Sequence, residues 1–108
     1  MTYEDIVYMV RKVFENADAR RVLEHVAIQV NVTGEGEGIF YVEIAERHIC
    51  VEPYDYYDRD CLLIMSSATA KDLCEKKYTL RSSIANGLVQ FYGDERKMKL
   101  CLDKIKVR

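Results

Sequence analysis

Between Val26 and Pro53 the apolar residues recur with period two, and the rest of the chain is arranged to cover that stretch. Val26, Ile28, Val30 and Val32 alternate with small or polar residues, the pattern of a strand with one face buried. Gly34-Glu-Gly36-Glu-Gly38 then supplies residues that tolerate positive φ, so the chain can reverse. Phe40, Val42 and Ile44 form a second run of the same parity. A reversal centred on Gly36 sets Val32 opposite Phe40, Val30 opposite Val42 and Ile28 opposite Ile44, every pair apolar. A second reversal at Glu46-Arg47 sets Ile44 opposite Ile49 and Val42 opposite Val51. A one-residue slip in either register would break the stripe.

The segments on either side change period. Thr2 and Asp5 are spaced to cap a helix whose apolar positions, Ile6, Met9, Val10, Val13 and Phe14, follow the i, i+3, i+4 rule. Asn16 to Asp18 ends it, and Ala19 to Glu24 is expected to form a short second helix. Pro53 to Asp60 is a loop rich in turn formers and tyrosine. Cys61 to Met65 reads as a strand, and Ser66-Ser67 caps a helix running toward Lys76-Lys77. Thr79 caps a further short helix that stops at Gly87. Leu88 to Tyr92 reads as a fifth strand, and Gly93-Asp94 turns into a last helix carrying Met98, Cys101, Leu102 and Ile105. This order predicts an α+β fold: a five-stranded, mainly antiparallel sheet with helices over one face.

Length and composition narrow the class. At 108 residues the chain makes one domain, residues 1–108, with room for a core and one pocket. A formal net charge of -2 gives no electrostatic basis for binding nucleic acid. No apolar run approaches the ~20 residues of a membrane span, so no stable membrane insertion is expected. Met1-Thr-Tyr-Glu-Asp has neither the basic start nor the apolar segment of a signal peptide, which predicts a cytoplasmic protein. Cys50, Cys61, Cys74 and Cys101 are widely spaced, without a C-x-x-C pair or clustered histidines to complete a zinc site. Reduced, mostly buried thiols are expected, with no metal and no cofactor. His25 and His48 have no Cys or Ser partner at a motif spacing, so no nucleophile and base can be read. Glu35 and Glu37 belong to a solvated turn, and the glycines around them join two strands, unlike a phosphate loop.

Several segments, VNVTGEGEGIFYVEI, DRDCLLIMSS and above all SSIANGLVQFYGD followed by a helix, resemble the sterol carrier protein type 2 family, the nonspecific lipid-transfer proteins. The resemblance runs from Val26 onward, with Ala85, Gly87, Val89, Phe91, Gly93 and Asp94 filling the family's last strand-and-turn pattern. The chain departs from it at Phe40, where a tryptophan is common, at Glu75-Lys76, where a glycine is common, and near Leu80, where a proline is common. What the resemblance implies is an elongated apolar cavity between the sheet and the C-terminal helices. Its expected lining is Phe40, Val42, Ile84, Val89, Phe91, Met98, Cys101, Leu102 and Ile105. The implied partner is an apolar small-molecule ligand, such as a fatty acyl chain, an acyl-CoA or a sterol, bound without chemistry.

The opposite face has its own expectation. Leu62, Ile64, Leu88 and Tyr92 point away from the core, and Ile39 and Tyr41 add to an apolar outer face. Such a patch suggests a covered surface, either in a homodimer or against a lipid-metabolism enzyme to which a domain with a vestigial cavity is accessory. Tyr54, Tyr56 and Tyr57 form either a lip at the cavity mouth or the packing of their own loop.

Overall fold

A computed structural model describes residues 1–107. Helix α1, Tyr3–Phe14, starts with the expected capping box: the Thr2 hydroxyl accepts the Asp5 N–H while the Asp5 carboxylate accepts the Thr2 N–H. It buries Ile6, Val7 and Val10, whereas Met9 and Val13 stay half-buried along one flank. Residues 19 to 24 are not helical. The Asp18 carboxylate accepts the Arg20 backbone N–H at 2.9 Å, a local turn that competes with the helix, and only one further turn, Val22 N–H to Ala19 O, follows. Ala19 and Val22 nevertheless anchor this segment in the core.

The sheet comprises β1 Val26–Thr33, β2 Gly38–Ala45, β3 His48–Glu52, β4 Cys61–Ser66 and β5 Gln90–Gly93, in the order β3-β2-β1-β4-β5. Only the central β1–β4 pair is parallel. The β2–β3 register is the expected one, with Ile44 opposite Ile49 and Val42 opposite Val51. Glu46 and Arg47, at φ 51° and 68°, make the two-residue turn.

The β1–β2 register differs from the expected one by two residues: Val30 faces Phe40, Ile28 faces Val42 and Val26 faces Ile44. An even slip preserves parity and leaves three apolar pairs either way, so the hydrophobic pattern could not decide it. The turn itself does. The turn closes with Glu37 N–H on Gly34 O, and Val32 is left opposite Gly38, where the Tyr3 ring occupies the space a side chain would need.

Helix α2, Ser67–Cys74, is capped by Ser66, and α3, Leu80–Ala85, by Thr79. Strand β5 begins two residues later than the sequence suggests, because the Val89 N–H is taken by the Ser83 carbonyl of α3. Asp94 caps α4, Glu95–Lys104, its carboxylate accepting the Lys97 N–H. All four helices lie on one side of the sheet and share a single core with Val26, Ile28, Val30, Val32, Phe40, Val42, Ile44, Leu63 and Met65. Among the described residues no helix is long and apolar enough to cross a membrane.

Candidate functional site

The register brings the expected ligand residues into one layer. Phe91, Leu63, Val30 and Phe40 form a row across β5, β4, β1 and β2, and Val42, Ile28 and Cys61 form the next. Above them lie Met98 and Cys101 of α4, both buried. Phe40, Val42 and Val89 are buried with them, and Ile84, Phe91, Leu102 and Ile105 are half-buried against the same core. Polar intrusion is small: Ser83 is fully buried, with its hydroxyl donating to Thr79 O at 2.8 Å within its own helix. In this structure the nine residues belong to, or pack against, one apolar core, and two open recesses lie elsewhere.

One recess, of about 370 Å³, lies between α1 and the end of α2 and is lined by Tyr8, Met9, Lys12, Val13, Cys74, Glu75 and Lys76. The other, of about 400 Å³, lies on the outer face under the loop between β3 and β4, lined by Tyr41 and residues 54 to 58.

That loop crosses the outer face and closes part of it. The Tyr56 N–H donates to Gln29 Oε1 at 3.1 Å, and the Tyr56 ring meets Tyr41 edge-on. Buried Gln29 bonds Asn31, so polar β1 side chains stand between Ile39 and Tyr41 on one side and Leu62, Ile64 and Tyr92 on the other. The outer face is therefore not one continuous apolar surface. Tyr41, Leu62 and Ile64 are half-buried, while Ile39, Leu88 and Tyr92 remain exposed. Of the tyrosine loop, Tyr56 is tied down and Tyr57 is exposed.

A cluster not anticipated from sequence sits beside the loop. Glu43 Oε2 accepts the Tyr56 hydroxyl at 2.7 Å and lies 2.6 Å from His25 Nε2, while the Cys50 thiol reaches Glu43 Oε1 at 3.7 Å. The bonds from His25 and Tyr56 hold the Glu43 carboxyl below its usual range. The bond to Glu43, with partial burial, pushes Tyr56 up to about 12. Partial burial and the Glu43 charge push the Cys50 thiol up, the opposite of an activated nucleophile. Burial raises Cys61, Cys74 and Cys101 to about 11. The Glu43–Cys50 pairing follows from the β2–β3 register, but His25 and Tyr56 arrive from coil segments that carry no periodic signal. Among the described residues no group of three or more His, Cys, Asp or Glu is placed to hold a metal ion.

The segments that carried the sequence resemblance occupy the junctions of this architecture: the β1–β2 hairpin, the entry into β4, and the α3–β5–α4 passage. The family model described as the SCP-2 sterol transfer family matches residues 10–100. The chain belongs to that family. No curated protein sequence matches the chain. Among solved structures, sterol carrier protein 2-like 2 of Aedes aegypti is similar at 14% identity and TM-score 0.68, with 93% of each chain covered. Its palmitated form in solution is similar at 13% identity and TM-score 0.66, over 95% of this chain and 93% of that one. The ubiquinone synthesis protein UbiJ-SCP2 reaches 18% identity and TM-score 0.61, over 94% of this chain and 85% of that one. The inverting sec-alkylsulfatase Pisa1 from Pseudomonas sp. matches at 13% identity and TM-score 0.59, over 76% of this chain but only 13% of the enzyme. At these identities the likenesses establish the fold: the SCP-2 arrangement of a five-stranded mixed sheet with its helices on one face.

Proposed function

We propose that this SCP-2 domain binds, and hands on, a molecule with a long apolar chain in the layer between the sheet and the C-terminal helices, without catalysing a reaction. The observation that carries this reading is the composition of the layer. Phe40, Val42, Val89, Met98 and Cys101 form its buried floor and roof, and Ile84, Phe91, Leu102 and Ile105 bring the same apolar surface out to partly exposed positions between α3, β5 and α4. A ligand entering there replaces apolar contacts with apolar contacts and leaves few polar atoms unpaired. The flexible thioether of Met98 suits an occupant of variable shape. Membership of the SCP-2 family and the fold shared with a palmitated insect homologue support an acyl chain as that occupant.

Desolvation supplies the driving force. Burying about ten methylenes at ~0.8 kcal/mol each amounts to roughly 8 kcal/mol gross. That gross gain alone corresponds to a Kd of about 1 μM, and association and ordering costs weaken the binding from there. The test is displacement of a fluorescent fatty acid by unlabelled decanoate, in the wild type and in Leu102→Glu, whose half-buried position tolerates the change better than the core. Loss of probe binding in a variant with an unchanged circular dichroism spectrum supports the layer. Unchanged binding refutes it.

A second reading is favoured by Leu88 and Tyr92, which stay exposed at the free β5 edge beside half-buried Leu62 and Ile64. In it this edge joins a second copy of the chain, and a shift in sedimentation on Ile64→Lys is the corresponding test.

A further inference from the structure

We propose that the recess on the outer face, under the loop between β3 and β4, binds a quaternary ammonium cation among the rings of Tyr41, Tyr54 and Tyr56. The first observation is the aromatic lining. The recess of about 400 Å³ is walled by Tyr41 of β2 and by Tyr54, Asp55, Tyr56, Tyr57 and Asp58 of the loop. Tyr41 and Tyr56 are half-buried, with ring centroids 5.0 Å apart and planes at 86°, so the two rings meet as a corner. Tyr54 and Tyr57 stay exposed. Several rings around one open space attract an organic cation through their quadrupoles.

The second observation is that this corner is fixed from behind. The Tyr56 N–H donates to Gln29 Oε1 at 3.1 Å, and the Tyr56 hydroxyl donates to Glu43 Oε2 at 2.7 Å. Gln29 is itself buried and lies opposite Tyr41 in the β1–β2 register. Tyr56 is thus held at its backbone and at its ring tip before a ligand arrives, which lowers the ordering cost of binding.

The third is charge. Asp55 and Asp58 line the recess, are exposed, and have no hydrogen-bond or ion-pair partner among the described residues. The other charged groups nearby are engaged: Glu43 with His25 and Tyr56, Glu52 with Arg11 at 3.4 Å, and Arg59, the loop's own cation, with Gln29 Oε1 at 3.5 Å. What the recess offers is therefore ring faces in a negative field, while the acceptors beside the rings are already used. A quaternary ammonium carries no N–H to satisfy and needs only those two things. None of these residues belongs to the layer proposed above, so the two sites stand or fall separately.

The tyrosine ring signals are the reporters, read by NMR during titration with tetramethylammonium chloride at constant ionic strength. The rings of Tyr41 and Tyr56 are expected to shift saturably, while Tyr8 and Tyr78, outside the recess, stay fixed. Choline acts in the same way, and dimethylbutanol, its uncharged carbon isostere, acts at least about threefold more weakly. Tyr54→Ala, at an exposed position, weakens the response by a similar factor, and Tyr54→Phe, which keeps the ring, retains it. Asp55→Asn combined with Asp58→Asn also weakens it, by removing the field. Glycerophosphocholine separates two sources of the same cation. A response equal to that of choline assigns the site to a lipid headgroup, and a weaker one, from repulsion of the phosphate by Asp55 and Asp58, assigns it to a free quaternary ammonium compound; both support the site. Fixed Tyr41 and Tyr56 signals, an equal response to dimethylbutanol, or an undiminished response in Tyr54→Ala overturns it, and leaves the lipid-binding reading untouched.

Discussion

Lys97 of α4 places its ammonium 2.9 Å from Asp60 Oδ1, and the other carboxylate oxygen of Asp60 accepts the Ala27 N–H at 2.8 Å. One side chain thus joins the start of β1, the entry to β4 and the C-terminal helix. Its backbone completes the joint, since Asp60 N–H donates to Ala27 O and Asp60 O accepts the Asp94 N–H, both at 2.9 Å. Partial burial pushes the Asp60 carboxyl up, but the bonds from Lys97 and Ala27 outweigh it and leave the group below 3.8. Such a group stabilises the fold above its unfolded value and loses that contribution as pH falls. Asp60→Asn is therefore expected to cost about 1–3 kcal/mol at pH 7, because it removes a charge-assisted bond at a half-buried site. Urea unfolding at pH 7 and near pH 3 checks this: the gap between variant and wild type narrows at the lower pH.

Gly93 explains why the joint tolerates one residue type at that point. Its φ is +117°, and a Cβ built there would overlap the Asp60 carbonyl oxygen. Both the conformation and the contact oppose any side chain. Gly93→Ala is expected to lose more than about 2 kcal/mol, read as a fall in the urea midpoint at unchanged slope.

The loop over the outer face carries a spectroscopic signature. Donation to Glu43, with partial burial, raises Tyr56 to about 12, above the ordinary 10.0. The stability this bond contributes is complete below pH 10 and is lost as pH rises toward 12. Absorbance titration of the eight tyrosines is expected to show a late phase that Tyr56→Phe abolishes and Glu43→Gln moves to lower pH. A late phase that persists in Tyr56→Phe would assign it to another tyrosine.

The lysine at positive φ costs stability. Lys76→Gly is expected to raise stability by about 0.5–1 kcal/mol, because glycine adopts φ 62° without a Cβ penalty. Thermal unfolding measures the effect, and a neutral or lower stability would contradict the strain argument.

Much of the fold was legible because its signals are local or periodic. The capping box at Thr2 and Asp5, the helix caps at Ser66 and Thr79, the Gly93-Asp94 turn into the last helix, and the β2–β3 register each follow from a few neighbouring residues. The β1–β2 register was not, since parity is indifferent to a two-residue slip and three glycines between Thr33 and Ile39 offer more than one place to turn. Nor was the absence of a helix between residues 19 and 24, where one Asp18 side-chain bond redirects the backbone. Parity assigned Phe40, Val42 and Phe91 to the core side, where they lie, for inward direction along a strand is a period-two property. The His25–Glu43–Tyr56 cluster and the α1–α2 groove were invisible, because each is assembled from segments whose meeting depends on tertiary packing.

The central claim is that the layer beneath α3 and α4 holds an apolar molecule. Comparing native with denaturing mass spectra of gently purified protein tests it most directly. The expected result is an excess mass in the native spectrum that leaves on denaturation and fragments as an acyl-containing lipid. A native mass equal to that of the bare chain, together with no uptake of a fluorescent fatty acid at micromolar protein, would contradict it.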